Sequence, residues 1–582
     1  MKVILSGNEA IARGAYEAGV KVATAYPGTP STEILEEISK YDEIYSEWST
    51  NEKVAFEVAL GAAYGGVRAI TCMKHVGLNV AADPFMSSAY TGVLGGFVIV
   101  SADDPGLHSS QNEQDNRIFA KFAKVPLIEP SDSQEAKDFI LLAFEISEQF
   151  KTPVLFRSTT RISHSKSVVE LGERKEVPAK QYVKDVPHRV VIPSNARILH
   201  LELEKKLEAL KEYSENSPLN RLEMGDTSIG IITSGISYQY AREVFPSASF
   251  LKLGMSFPFP ENLVKKFAAL VKEIIVIEEN EPFIEDECRK LGLKVTGKDK
   301  IPICWELNQQ VISEALTGKK SDPIFDTSQL PTRPPVLCPG CPHRGFFYIS
   351  NRLKLTATGD IGCYTLGVIP PLSALDTCVC MGASVGNAYG MELAMKEYNP
   401  QKRVIAVIGD STFIHGGITG LIDIAYNKGK TVVVILDNET TAMTGHQPHP
   451  GTGKTIKGED TVRVNYAKLA EAVGIKNYFE TQAFDLENIR STMKQALALN
   501  EPALVVNKGA CVLQVRGVRI EPYFVDAEKC TSCGLCLQLG CPAISRSDDG
   551  KAKIDPILCV GDLCGLCMKV CKFEAIKPRE AK

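Results

Sequence analysis

Eight of the 17 cysteines lie between Cys530 and Cys571, in two runs of four. "CTSCGLCLQLGCP" supplies Cys530, Cys533, Cys536 and Cys541, and "CVGDLCGLCMKVCKFEAI" supplies Cys559, Cys564, Cys567 and Cys571. The "CPAI" that closes the first run is echoed by "CKFEAI" in the second, as in an internal repeat. Cys-x-x-Cys spacing wraps a loop around one corner of an iron–sulfur cage, and a fourth thiolate arrives from elsewhere. Paired Cys₄ zinc sites are the alternative use of such ligands. A second chemistry is oxygen-based. The apolar run "RVIAVI" ends in Gly409 and Asp410, and "TVVVIL" ends in Asp437 and Asn438. Asp410 offers a hard anionic oxygen and Asn438 a neutral one, a pairing that suits Mg²⁺ shared with a diphosphate. Alone, a Gly-Asp at a strand end is equally any strand-to-helix turn.

These groups need elements to hold them. The 582 residues predict about three to five domains. With 44% apolar and 23% charged residues the composition is that of an ordinary globular protein. The net charge of −5 gives no reason to expect nucleic acid as a partner. "TGVLGGFVIV" is too short to span a bilayer, and "KVILSG" after Met1 reads as a strand rather than a signal peptide, so the expectation is a cytoplasmic protein with no membrane association. An odd cysteine count in such a chain favours metal or redox use over disulfides.

Residues 1–180 alternate strand-like and helical patterns and predict a mostly parallel sheet. Residues 181–225 read as a linker with a charged helix, 226–330 as a second α/β unit, and 331–518 as a third carrying the Gly-Asp and Asp-Asn pairs. Residues 519–582 form the short Cys-rich tail. The Pro-rich "LPTRPPVLCPGCP" marks the joint before the third unit.

The tail resembles a bacterial two-cluster ferredoxin domain. That likeness implies two [4Fe–4S] clusters with the fourth cysteine of each run exchanged: Cys530, Cys533, Cys536 and Cys571 for one, Cys541, Cys559, Cys564 and Cys567 for the other. Two spacings depart from it. Four residues stand before Cys541 and between Cys559 and Cys564, and Lys572 replaces the usual Pro after Cys571. The Asp410 to Asn438 spacing resembles the thiamine diphosphate motif, with Ser411 and Asp437 at variant, non-ligand positions. By that match Asp410, Asn438 and the Thr440 carbonyl hold Mg²⁺, and Gly409, Ser411, Thr440, Met443 and Thr444 lie along the coenzyme. "MTG" followed by Gln sharpens the likeness to 2-oxoacid:ferredoxin oxidoreductases. In such enzymes the coenzyme also needs a pyrimidine-binding domain with an activating Glu. "STNEKVAFEVALGAAYGG" resembles that segment and makes Glu52 the activator, although a Glu there is otherwise a helix-start acid. "AYPGTPSTE" resembles the family's substrate-side segment, which places Thr29 near the substrate; it reads equally as a Pro-braced turn with a Ser31 helix cap.

Over its whole length the chain resembles the large (alpha) subunit of indolepyruvate ferredoxin oxidoreductase. The implied fold is α/β: two thiamine-diphosphate-binding-type parallel-sheet domains, a transketolase-C-like α/β domain, and a small α+β two-cluster ferredoxin domain. The implied reaction converts an aryl pyruvate and coenzyme A to aryl-acetyl-CoA and CO₂, with electrons passed to ferredoxin. The implied partners are a separate small beta subunit, in an (alpha-beta)₂ heterotetramer, and ferredoxin. "CPGCPHRG" and "GDIGC" resemble pieces of pyruvate-type enzymes that hold a third cluster. Cys338, Cys341 and Cys363 match, and Cys511 is a candidate fourth; loop-packing thiols are the alternative. His75 or Lys74, in "CMKHVGLN", is a candidate to bind the substrate carboxylate or carry protons, and a structural His at a strand end is the other reading. Two rival functions remain at this point: a non-oxidative decarboxylase, which has no use for the Cys-rich tail, and an electron-transfer subunit with a degenerate coenzyme fold.

Overall fold

The computed structural model describes residues 1–320, 328, 330–331, 334–515 and 521–578. They form two compact units, Met1–Thr327 and Ser328–Lys582. The expected boundary at 518/519 and part of the Pro-rich joint lie outside the described residues.

In the first unit a seven-stranded sheet runs in the order Met255–Phe257, Leu127–Ile128, Val154–Thr159, Phe97–Asp103, Ala69–Lys74, Val22–Ala25, Tyr45–Trp48. All neighbours are parallel except the first pair. The central strands "AITCMK", "FVIVSAD" and "VLFRST" are buried at every position, as strands covered by helices on both faces must be. The opening strand Lys2–Ser6 stays out of this sheet and pairs antiparallel with Lys166–Glu170. It delivers Ser6 to a capping box, in which the Ser6 hydroxyl accepts from Glu9 N–H and Glu9 accepts from Ser6 N–H.

A second, four-stranded sheet has the order Glu273–Ile277, Asp226–Ser234, Ala248–Leu253, Arg221–Glu223. Its last strand comes from the stretch expected to be linker, and the strand Met255–Phe257 leaves the 226–330 segment to extend the first sheet. The long helix Pro193–Glu215 buries Leu199, Leu203 and Leu210. Leu203 shares one apolar core with Phe97 and Leu127 of the first sheet and Leu251 and Val276 of the second.

Polar side chains join the same two sheets. Arg117 is fully buried between Asp115 and Glu278, and Arg157 reaches Asp103, Glu129 and the Asn280 side chain at 2.6, 2.8 and 3.2 Å. Burial raises the pKa of Asp103 despite Arg157, whereas the two arginines hold Asp115 below the usual range against the same desolvation.

The second unit is built on six parallel strands in the order Thr377–Cys378, Thr356–Gly359, Val404–Gly409, Val432–Asp437, Ala503–Lys508, Asn477–Gln482. The Cys-rich tail adds two small antiparallel ribbons, Tyr523–Val525 with Ile576–Pro578 and Ile544–Arg546 with Ala552–Ile554. Leu539, Leu566 and Ile576 of the tail share a core with Phe346, Leu436 and Val505 of the sheet unit. Among the described residues no helix is long and apolar enough to cross a membrane.

Removing one partner from a buried ion network strands the others. Arg117→Met is expected to destabilise the first unit by roughly 3–5 kcal/mol, because Glu278 loses its ion-pair partner and Asp115 the nearer of its two arginines. The check is the thermal-unfolding midpoint of the purified protein; a midpoint equal to the parent's refutes the role given to Arg117.

Candidate functional site

In the second unit the chemistry sits where parallel-sheet folds bind ligands, at the carboxyl ends of the strands. Asp410 follows the strand Val404–Gly409, and Asn438 follows Val432–Asp437, its immediate neighbour. Asp410 is buried. Its Oδ1 accepts from Ser411 N–H at 2.9 Å and its Oδ2 from His449 Nε2 at 3.1 Å. Gly451 N–H donates to His449 Nδ1 at 3.1 Å, which fixes the tautomer that donates to Asp410. Burial alone raises Asp410; the His449 and Ser411 contacts outweigh it and hold the carboxyl below its ordinary value. Asp437 moves the other way, up to about 7, through burial and the adjacent Asp410. His343, also within reach of Asp410, is pushed down to about 4 by burial and so stays neutral.

Asn438 shows an arrangement of a particular kind. Its side-chain oxygen faces Asp410 Oδ1 at 3.1 Å and the Thr440 carbonyl at 3.0 Å; turning the amide over would make both contacts hydrogen bonds. Three acceptor oxygens at this spacing either need that turn or a cation among them. The Thr440 hydroxyl accepts from Gln514 at 3.2 Å, and Thr441 donates to Ser411 Oγ at 3.0 Å. Thr444 donates to Gln447 at 2.6 Å, and Gln447 returns a bond to the Thr444 carbonyl at 2.9 Å, so "MTGHQ" closes on itself. Met443 is exposed. Gly409 has a steric reason in the fold. A Cβ there would lie 2.4 Å from the Tyr364 ring, so the space is taken by Tyr364 rather than left for a ligand. His415 is buried in a π-helical turn, Phe413–Gly417, whose Gly416 backbone is so close to Gly382 that a Cβ on Gly382 would lie 2.8 Å from it.

In the first unit Glu52 is the first residue of the helix Glu52–Tyr64, capped by the Asn51 side chain on Val54 N–H. Glu52 is buried, and its carboxylate lies over Gly77 of the next helix, His75–Val80. Ser31 holds the cap position of the helix Thr32–Ile38, yet its hydroxyl donates to the Gly28 carbonyl instead of capping. Thr29, half-buried, accepts at its carbonyl from Ser109 Oγ at 3.3 Å. Lys74 Nζ donates to the Ser109 carbonyl at 2.6 Å, and burial lowers this ammonium to about 8. Thr29, Ser109 and Lys74 are thus one patch. His75 is wholly covered: Nε2 donates to the Asn112 carbonyl at 3.2 Å, Nδ1 is buried without a partner, and burial lowers its pKa. Asn116 donates to the His75 carbonyl, so the contacts of His75 are with the 104–116 loop. The sequence named Lys74 and His75 together; the fold separates a terminal ammonium from an enclosed ring.

The cysteines fall into three sets. Cys530, Cys533, Cys536 and Cys571 line one small cavity, and Cys541, Cys559, Cys564 and Cys567 line another. Cys338, Cys341, Cys363 and Cys511 form a third neighbourhood: Cys338 acts electrostatically on Cys341, Cys363 and Cys511, while burial pushes Cys341 to about 12 and Cys363 to about 11. Cys511 N–H donates to the Asn438 carbonyl at 3.1 Å, which ties this set to the Asp410 loop. Among the described residues no three His, Cys, Asp or Glu side chains close on a single-ion site.

Two family profiles match. One described as "Pyruvate flavodoxin/ferredoxin oxidoreductase, thiamine diP-bdg" covers residues 13–197, and one described as "Thiamine pyrophosphate enzyme, C-terminal TPP binding domain" covers 360–507. The indolepyruvate oxidoreductase subunit IorA of Methanothermobacter thermautotrophicus is 42% identical over 99% of this chain and 97% of that protein. The chain belongs to the IorA family. The IorA subunit of Archaeoglobus fulgidus is 44% identical over 100% of this chain and 98% of its own. A solved 2-oxoglutarate:ferredoxin oxidoreductase from Magnetococcus marinus aligns over 55% of this chain and 65% of its own, at TM-score 0.46 and 17% identity. Membership makes the chain a thiamine-diphosphate-dependent 2-oxoacid ferredoxin oxidoreductase, and its Cys-rich tail is consistent with an iron–sulfur ferredoxin domain.

The Glu52–Gly77 contact gives a test that spares the acid itself. A methyl at Gly77 would lie 2.7 Å from Glu52 Cγ and 2.8 Å from Oε1. Ala favours a helix over Gly by about 1 kcal/mol, so lost stability is not the expected result. Gly77→Ala should displace the Glu52 carboxylate and cut turnover by about 10²-fold or more while the circular dichroism spectrum holds. Parent-level turnover in this variant would remove the significance of the contact.

Proposed function

We propose that the chain is the catalytic subunit of an enzyme that oxidatively decarboxylates aryl pyruvates in the cytoplasm. The substrate class is indolepyruvate, with phenylpyruvate and hydroxyphenylpyruvate. The acid and coenzyme A give aryl-acetyl-CoA and CO₂, and the two electrons released pass singly to ferredoxin. The observation that carries the substrate reading is the near full-length identity to proteins named indolepyruvate oxidoreductase subunits. A small beta subunit completes an (alpha-beta)₂ assembly in this reading.

The residues present fit the cofactors. Oxygens 2.0–2.1 Å from an octahedral Mg²⁺ stand about 2.9 Å apart along each edge. Asp410 Oδ1, the Asn438 oxygen and the Thr440 carbonyl have near that spacing, 3.1 and 3.0 Å from the Asn438 oxygen. These three would hold Mg²⁺ on the diphosphate, with Ser411 and Thr444 beside it. Bound thiamine diphosphate supplies the electron sink for the carbanion that loss of CO₂ leaves. In the first unit Glu52 would hydrogen-bond the aminopyrimidine ring, and Thr29 would border the substrate. The Lys74 ammonium binds the substrate carboxylate, and His75 keeps the 104–116 loop, with Ser109, against Lys74. The tail carries two [4Fe–4S] clusters on the two cysteine quartets. A third lies on Cys338, Cys341, Cys363 and Cys511, next to the metal loop.

The test is purification with the small subunit, followed by iron and thiamine counts and a ranking of 2-oxoacids. We expect about 12 irons per chain rather than about 8, at four per cluster, and aryl pyruvates preferred over pyruvate and 2-oxoglutarate. Glu52→Ala should keep iron and thiamine but lose about 10²–10⁴-fold in turnover. Aldehyde formed at full rate without coenzyme A or ferredoxin would move the protein to the non-oxidative decarboxylases.

A further inference from the structure

Arg344, in "CPHRG", is 1% exposed. Its Nη2 donates to the carbonyls of Leu337 and Cys338 at 2.6 and 3.0 Å, and its Nη1 to the Leu539 carbonyl at 2.7 Å. Nε is buried without a partner, and among the described residues no carboxylate ion-pairs with the guanidinium. A buried cation without a counter-charge costs several kcal/mol, and carbonyl dipoles offset that only in part. The ionisable groups on which Arg344 acts are cysteine thiols. It acts on Cys341 of one set and on Cys541 and Cys564 of another, pulling each thiol down against the rise that burial causes. The cavity that Cys541, Cys559, Cys564 and Cys567 share is also lined by Pro339, Gly340 and Arg344. Gly340 lies against Val560, where a Cβ would come within 2.4 Å of a methyl. The Cys338–Cys341 loop and the second tail quartet are therefore neighbours, with one cation between them.

We propose that Arg344 is the shared counter-charge of two iron–sulfur clusters, the one on Cys338, Cys341, Cys363 and Cys511 and the one on Cys541, Cys559, Cys564 and Cys567. The proposal rests on the cluster assignment above. Four-thiolate clusters are anions and gain one more negative charge on reduction; nearby charge and hydrogen bonds set their potentials. Arg344 stabilises the reduced state of both, which makes this quartet the tail's point of entry for electrons. The quartet Cys530, Cys533, Cys536 and Cys571, whose cavity is lined by tail residues alone and whose Cys533 is exposed, is the exit. Arg344 is a positioning and tuning residue here; it makes no contact with substrate in this scheme.

The experiment compares Arg344→Gln, which removes the charge and keeps amide donors, with Arg344→Lys, which keeps the charge. Each is purified with its partner subunit, iron is counted, and cluster potentials are measured by an electron paramagnetic resonance titration. The expected result is iron retained in both. Arg344→Gln should shift at least one midpoint about 60 mV or more negative, a tenfold change in the one-electron equilibrium, with Arg344→Lys close to the parent. Unchanged midpoints in Arg344→Gln, equal shifts in both variants, or equal loss of iron from both would overturn the proposal and leave Arg344 a staple between loops. The parent's own iron count tests the cluster assignment separately: about 8 irons would refute the third cluster whatever the variants do.

Discussion

The second unit is organised around one requirement: a fully buried carboxylate, Asp410, must stay ionised. Burial works against this, so the surrounding chain supplies hydrogen on every side that a ligand does not need. Ser411 N–H and His449 Nε2 divide the two oxygens, and Gly451 N–H holds His449 in the donating tautomer. The Asn438 side chain lies between Asp410 Oδ1 and the Thr440 carbonyl, and either a turned amide or, in the proposed reading, a cation would satisfy the three oxygens. Asp437, one residue from Asn438, bears the cost of the arrangement. Its pKa rises through burial and because a second anion beside Asp410 is disfavoured.

Much of this was legible because the determinants are local. The runs "VIAVIG" and "VVVILD" have the continuous apolar character of strands covered on both faces, and both are buried throughout. Two such strands side by side bring their end residues together, so the spacing of Asp410 and Asn438 was enough to pair them. What the sequence hid depends on contacts remote along the chain. Gly409 is small because of Tyr364, 45 positions earlier, and nothing around Gly409 announces that ring. The hydrogen bond of His449 to Asp410 depends on how the 441–453 segment folds back. Short edge strands were missed for another reason. Arg221–Glu223 and Met255–Phe257 have three residues each, too few for any periodicity to register.

In the first unit close packing and buried polar contacts act together. The carboxylate of Glu52 is placed by what Gly77 lacks, and the 104–116 loop is held by bonds to buried groups. Asp104 accepts from Ser109, Ser110 and Thr160, which hold it below its ordinary value although burial opposes them. His75 anchors the same loop from below through Asn112 and Asn116. A His next to a Lys at a strand end is a pattern that sequence alone cannot divide into ligand and brace. The fold distinguishes the two by their contacts: the Lys74 ammonium reaches the Ser109 carbonyl at the end of its stem, whereas the His75 ring is covered on every face.

The arginines give a way to tell structural from functional burial of charge. Arg117 and Arg157 are as buried as Arg344, yet each meets carboxylates, and their work is complete within the protein: they weld two sheets. Arg403 bonds only to carbonyls, of Leu497, Leu499 and Lys430, but it is half-exposed and water can share its charge. Among the described residues Arg344 ion-pairs with no carboxylate and is almost wholly shielded from solvent, and the ionisable groups it acts on are cysteines of two different sets. A positive charge placed there is stable to the extent that those cysteines carry negative charge, and iron–sulfur ligation is the state in which they must. In the proposed reading the same residue would link folding to cofactor loading, since the loop at Cys338 and the tail at Leu539 are drawn together by a group whose burial the proposed clusters would make favourable.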